Sequence, residues 1–312
     1  MHTTKVLLLG GSGFIGCAIA EALTKGGYDV TVPSRHRERA KHLLLLPTCE
    51  VIEANVFDHA TLDLLVRGHD VVINLIGILH GNFEFTHVRF PQMVAECCAA
   101  NHVNRLLHMS ALNADATGPS EYLRSRGHGE AAVLKVAQAT GLAVTIFRPS
   151  VVFGEGDHFL NMFAMLAKVC PIIPLGSPAA LFQVVWVEDV ARAFVRSITL
   201  PATIGKTYPL VGPTVYTLRA LLEYVISQSG SHCKILGLGP TLSKLQATVF
   251  EFLPGKLITR DNLASMRLPN TSPDPFPPIF GAPSALEGVV PGYMPGQSGR
   301  SRYQSFRQRS LR

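Results

Sequence analysis

Within the first sixteen residues an apolar run at positions 6–9 leads straight into Gly10-Gly11-Ser12-Gly13-Phe14-Ile15-Gly16. Gly10, Gly13 and Gly16 form the spacing G-x-x-G-x-x-G. Glycines at this spacing let a chain turn tightly from a strand into a helix. They also let backbone amides approach a pyrophosphate, which the helix then faces with its positive N-terminal end. A tight turn alone would also use glycine. The strand before the motif and the helix after it favour a dinucleotide over that simpler reading. The cofactor-binding candidates here are Gly10, Ser12, Gly13, Phe14, Ile15 and Gly16.

The rest of the first half keeps the same rhythm. Apolar runs at 30–32, 51–53, 71–76, 105–109 and 144–147 read as strands after the first. Helical patterns fill the intervals at 17–25, 37–46, 61–66 (with Asp58 placed to cap it), 90–101 and 122–140. Alternation at this spacing predicts right-handed crossovers and an α/β fold, a Rossmann-type doubly wound parallel sheet with helices on both faces. After Arg148 the pattern loosens. Helices are expected at 159–169, 188–198, 217–229 and 242–253, and a strand at 182–187. From Pro269 proline and glycine crowd the chain, which predicts a segment wrapped over the surface. The expected organisation is a nucleotide-binding domain over 1–150, a smaller C-terminal lobe over 151–294 interleaved with it, and a disordered basic tail over 295–312.

Composition limits what such a chain does. Of 312 residues, 47% are hydrophobic and 16% charged, which excludes general disorder. The net charge of +6 invites a nucleic-acid or membrane reading. Yet Arg300, Arg302, Arg307, Arg309 and Arg312 all follow the last acid, Glu287, and without these five the net charge is +1. A near-neutral body argues against a nucleic-acid partner. No apolar run reaches the ~18–20 residues of a spanning helix, and nothing resembles a signal peptide. The six cysteines form neither a C-x-x-C pair nor a disulfide framework, so a reduced cytoplasmic setting is expected.

An adenosine ribose 2′-hydroxyl is usually gripped by an acid at the end of the second strand. Here the stretch is Thr31-Val32-Pro33-Ser34-Arg35-His36-Arg37, with no acid. Ser34 and Arg35 suit a 2′-phosphate, because a guanidinium offers paired donors. NADP(H) is therefore the preferred cofactor, with NAD(H) as the alternative; Arg35 and Arg37 as merely solvated residues is the simpler reading. No metal site is expected, since the twelve histidines form neither H-E-x-x-H nor a Cys/His cluster.

The glycine loop, Asn55-Val56-Phe57-Asp58, Asn74-Leu75-Ile76-Gly77, Ser110-Ala111, Tyr122-Leu123-Arg124-Ser125-Arg126, Arg148-Pro149-Ser150 and Val187-Glu188-Asp189-Val190-Ala191 follow one another along the chain. In this order they resemble the atypical and extended short-chain dehydrogenase/reductase superfamily. The style of Asn74–Leu79, Tyr122-Leu123-Arg124, Leu253-Pro254-Gly255 and Arg260-Asp261-Asn262-Leu263 is similar to the branch related to the NADPH-binding accessory subunit of respiratory complex I. The resemblance implies that Asn55 and Val56 flank an adenine. It places Ile76 and Gly77 along the ribose–nicotinamide path and Pro149 with Ser150 at the nicotinamide end.

In active members of that superfamily a tyrosine moves a proton and a lysine four residues on lowers its pKa and holds a ribose. A serine steadies the substrate oxygen. Tyr122 and Ser110 occupy the first and last of these roles, but the lysine position is Arg126. Arginine keeps the charge and can bind a ribose, yet it does not relay protons. Only eleven residues separate Ser110 from Tyr122, where active members often carry a longer insert. Two functions follow. The first is a cofactor-holding protein of the complex I accessory type with weak or no catalysis. The second is an active reductase, epimerase or dehydratase with Ser110, Tyr122 and Arg126 as its catalytic set. A protein complex or a peripheral contact at the inner face of a membrane would be the partner of the first.

Three further features have plain alternatives. Cys17 lies where a helix dipole lowers a thiol pKa, though such residues more often just pack. His80 and His87 flank a loop that would face the nicotinamide, but solvated loop histidines are the simpler expectation. Leu242, Leu245, Val249, Phe250 and Leu253 make an apolar stripe at helical spacing, for packing or for docking.

Overall fold

A computed structural model describes residues 3–239, 241–243, 246, 248 and 259–294. By its contacts the chain divides into two compact units. The first holds residues up to Pro149 together with Val187–Leu210 and Phe276–Ala282; the second holds Ser150–Trp186, Val211–Pro275 and the residues from Pro283.

The first unit contains the sheet. Its strands are β1 (Lys5–Leu9), β2 (Asp29–Ser34), β3 (Cys49–Glu53), β4 (Val71–Asn74), β5 (Arg105–Met109) and β6 (Val144–Pro149), with Thr207–Leu210 as a seventh. All pair in parallel, in the order Thr207–Leu210, β6, β5, β4, β1, β2, β3. The strand order reverses between β1 and β4, the switch point at which such sheets open a crevice beyond their carboxyl ends. The strands are apolar on both faces because helices cover both. On one side Leu7, Leu9, Val72, Leu106 and Ile146 pack against Leu62, Val66, Phe90, Val94 and Val133. These come from α2 (His59–Val66), α3 (Phe90–Ala100) and α4 (Glu121–Thr140). Ile19, Ala20 and Leu23 of α1 (Phe14–Lys25) are equally buried, and α1 lies against the helix Val187–Thr199. The Rossmann-type doubly wound architecture expected from the alternation is present.

Several local expectations need correction. Residues 37–46 do not form an α-helix; Arg37–Leu45 is 3₁₀-helical. Among the side chains described there, Ala40 and Leu43 are the buried ones, and their i, i+3 spacing suits a three-residue turn. The strand expected over 71–76 stops at Asn74, whose Oδ1 accepts the amide of Ile76 at 3.1 Å and turns the chain. Glu84–Arg89 is a π-helix that no periodicity signalled. Thr207–Leu210 went unread because Pro209 interrupts it, which only an edge strand tolerates.

In the second unit the expected strand 182–187 is two short ones, Leu181–Phe182 and Val185–Trp186, which pair with Tyr216–Thr217 and Val152–Phe153. Between them Gln183 gives its amide Nε2 to the carbonyl of Gly212 at 2.8 Å. Ile172–Gly176 pairs with Lys234–Leu238. The core of this unit joins Leu160, Phe163, Phe182, Leu218, Leu222, Val225 and Leu286, with Trp186 at its margin. Of the apolar stripe, Leu242 is exposed; Leu245, Val249, Phe250, Leu253 and the tail 295–312 lie outside the described residues.

Helix α4 carries two of the candidate catalytic residues, and its start is held by Ser120, whose buried Oγ accepts the amide of Leu123 at 3.1 Å. Ser120→Ala is expected to lower the unfolding free energy by ~1 kcal/mol, read as a shift of the urea midpoint at constant slope.

Candidate functional site

The carboxyl ends of β1, β2, β3, β4, β5 and β6 put Leu9, Ser34, Glu53, Asn74, Met109 and Pro149 along one edge of the sheet. Every sequence-selected site residue lies on this edge or on the elements just beyond it.

The glycine turn follows β1. Gly10 has φ +83°, a conformation that costs glycine little and other residues much. A Cβ at Gly16 would overlap the carbonyl of Gly10 and the Cα of Gly11, so α1 sits as close to the turn as backbone permits. Helix α1 opens at Phe14 rather than at Cys17, with Gly13 as an extended N-cap that offers no side chain to its first-turn amides. By contrast Asp58 caps α2 and Ser120 caps α4 with side-chain oxygens. An uncapped helix start beside Ser12, Phe14 and Ile15 fits a diphosphate, which would accept from those amides.

Beyond β2, Ser34 folds back on its own turn: its Oγ donates to the carbonyl of His36 at 3.2 Å. Arg35 is exposed, and its guanidinium carbon lies 5.9 Å from the centre of the Phe57 ring. Phe57 follows Asn55 and the buried Val56, and packs edge-on against Phe85 and Phe90. Arg35 is thus brought to the Asn55–Phe57 loop. Cys17 lies 3.0 Å from His42 Nε2, and burial raises its thiol pKa, against the dipole effect. Among the described residues no group of His, Cys, Asp or Glu is placed to hold a metal ion, and no helix is long and apolar enough to cross a membrane.

At the other end, Ile76 and Gly77 follow β4. The segment is pinned three times. The amide of Leu75 bonds the carbonyl of Leu9 at 2.9 Å, that of Ile76 bonds Asn74, and that of Ile78 bonds His87 Nε2 at 3.1 Å. Gly77 lies against Arg126, so that a Cβ there would overlap the guanidinium. Arg126 is 8% exposed, donates Nη1 to the carbonyl of Met109 at 3.2 Å, and stands 5.4 Å from the centre of the Tyr122 ring. Ser110 is buried, its amide donating to the carbonyl of Phe147. Its Oγ has no hydrogen-bond partner among the described residues. Pro149 ends β6 and accepts the amide of Leu112 at 2.9 Å.

Two buried histidines adjoin this segment, one expected to be solvated and one unmarked in the sequence. His87 is not a solvated loop residue; it is buried on the π-helix, whereas His80 is exposed as expected. His108 is buried within β5, next in register to Asn74, whose amide approaches its Nδ1 at 3.3 Å. Burial, and then the charge of Arg126, push both histidines down to about 3. Nothing local in the sequence marks either one. His108 sits in an apolar run, and His87 becomes buried only because α4 crosses it, Gly129 leaving room for its carbonyl.

A glycine-turn crevice at the switch point of a seven-stranded parallel sheet defines a Rossmann-type protein of the nucleotide-binding kind. The chain belongs to the NAD dependent epimerase/dehydratase family, whose pattern matches residues 6–210. Its curated relatives include the subunits named NADH dehydrogenase [ubiquinone] 1 alpha subcomplex subunit 9, mitochondrial. The Mus musculus protein is 32% identical over 71% of this chain and 60% of its own length. The Arabidopsis thaliana protein is 30% identical over 80% of this chain and 64% of its own. The chain thus spans under two thirds of these relatives. Among solved structures, UDP-glucuronic acid 4-epimerase from Bacillus cereus, in complex with UDP-glucuronic acid and NAD, superposes with a TM-score of 0.70 at 18% identity. That match covers 96% of this chain and 99% of the epimerase. The dTDP-glucose 4,6-dehydratase from Streptomyces venezuelae, with NAD bound, gives 0.70 at 17% identity over 93% and 96%. At such identities the likeness establishes the fold.

The depressed histidines make stability depend on pH. Unfolded, each binds a proton near its ordinary pKa of ~6.5; folded, each stays neutral down to about 3. The unfolded state therefore takes up protons as pH falls through 6.5, and the contribution present above that pH is progressively lost. Denaturation between pH 7 and 5 is expected to show falling stability, with a limiting slope of ~1.4 kcal/mol per pH unit for each histidine. A His108→Phe variant should show a shallower slope.

Proposed function

We propose that the protein holds a nicotinamide dinucleotide, NADP(H) in preference to NAD(H), mainly as a bound ligand and with weak or no hydride transfer. Its role would match that of a complex I accessory subunit. The observation that carries this reading is the position of Arg126. Its guanidinium donates Nη1 to the Met109 carbonyl and lies over the Tyr122 ring, while its buried Nε has no hydrogen-bond partner among the described residues. From there it meets the ring's quadrupole. Being permanently charged, it supplies no proton relay.

The cofactor preference is supported by Arg35, exposed beside the Asn55–Phe57 loop, and by the absence of a carboxylate at the end of β2. The curated relatives are named as NADH dehydrogenase subunits, which supports a protein complex as the setting. A cytoplasmic place, peripheral to the inner face of a membrane, belongs to the same proposal. It draws on the five arginines after residue 295, each worth ~1 kcal/mol beside an anionic surface.

A second reading is an active NAD(P)-dependent reductase, epimerase or dehydratase with Tyr122 as acid/base. Ser110 favours it, because a buried Oγ without a partner is available to a substrate oxygen.

Titration of the purified protein with NADPH and NADH tests the first reading. Arg35→Ala is expected to weaken NADPH by about tenfold and leave NADH within about twofold. Assays with NADPH and a carbonyl or quinone then separate the two functions. Activity that emerges only in Arg126→Lys supports the holding role. Wild-type turnover that Tyr122→Phe abolishes overturns it in favour of the enzyme.

A further inference from the structure

The π-helix Glu84–Arg89 is six residues long, and such segments, uncommon in proteins, cluster at functional sites. Its buried residues are Thr86 and His87, and His87 is hydrogen-bonded through both ring nitrogens. The direction of these bonds is determined. The amide of Ile78 can only donate, so Nε2 accepts and the ring proton sits on Nδ1. Nδ1 then donates to Ser125 Oγ at 2.9 Å, and Ser125 Oγ donates to the carbonyl of Tyr122 at 2.8 Å. One line of hydrogen bonds thus runs from the loop after β4 to the first turn of α4. The imidazole also stacks on Phe83, with ring centres 5.2 Å apart, and meets the Tyr122 ring edge-on at 5.5 Å.

Both ends of this line lie at the nicotinamide end of the candidate site. Ile78 follows Gly77, whose backbone abuts Arg126, and Tyr122 lies under the same guanidinium. The adenine end, at Arg35 and Phe57, contains no partner of His87 among these contacts. We propose that His87 is a positioning residue for the nicotinamide half of the dinucleotide: it holds the Gly77–Ile78 backbone and the Tyr122 turn in register with each other. This rests on the dinucleotide reading above and adds to it a role for a residue outside the superfamily's Ser, Tyr and Lys set.

The test compares NADPH with 2′,5′-ADP, which carries the adenosine half and lacks the nicotinamide. His87→Phe keeps the ring stacking but leaves the Ile78 amide and the Ser125 hydroxyl without their partner. It is expected to weaken NADPH by about tenfold while 2′,5′-ADP stays within about twofold. His87→Gln, whose Oε1 can again accept from Ile78, should recover most of the loss. Should His87→Phe not fold, Ser125→Ala removes the next link and is expected to give a smaller loss with the same selectivity. Equal losses for both ligands, NADPH binding unchanged in these variants, or no recovery with glutamine would overturn the inference. Wild-type protein that binds neither NADPH nor NADH would instead remove the dinucleotide reading itself.

Discussion

The part of the site beyond β4 and β5 is organised around one buried cation. Arg126 brings a permanent charge to the carboxyl edge of the sheet, where water is excluded and the nearest acceptor is a backbone carbonyl, that of Met109. A charge so placed acts on whatever else is buried nearby. It reinforces the effect of burial on His87 and His108 and keeps both imidazoles neutral. Neutral imidazoles can accept hydrogen bonds, and both do so from groups that fix the loop after β4. The bulk of the guanidinium requires glycine at position 77, and it lies over the Tyr122 ring.

The end at the glycine turn has a different logic. The described residues named there include no buried charge. The turn after β1 depends on close approach of backbone to backbone at Gly16 and on an uncapped helix start at Gly13. An anion is welcome because α1's first amides lack side-chain partners. Arg35 stands at the surface over Phe57.

Much of this could be read from residues alone. The apolar runs of β1 to β6 were legible because strands covered on both faces need no alternation, and the glycines between β1 and α1 carry a strong local signal. The positions of Ser110, Tyr122 and Arg126 followed from their order along the chain. What failed had weak or misleading local signals. Residues 37–46 looked helical, yet Ala40 and Leu43 are the buried ones among the side chains described there, and Arg37–Leu45 winds as a tighter turn. Thr207–Leu210 contains a proline and is a strand only because β6 offers it an edge. His87 is polar and flanked by polar residues, so it read as solvated.

The sequence by itself determined the fold class, the glycine turn, the lack of an acid at the end of β2 and the arginine in place of lysine. These follow from residue identity and short-range spacing, to which backbone sterics and helix ends respond directly. Only the tertiary structure decided what that arginine does, and that His87 and His108 are buried, neutral and bonded to the Asn74–Ile78 segment. Those outcomes depend on groups 9, 17, 34 or 38 positions apart along the chain meeting in a dry interior. There burial sets the protonation state, and the available partner sets the direction of each hydrogen bond.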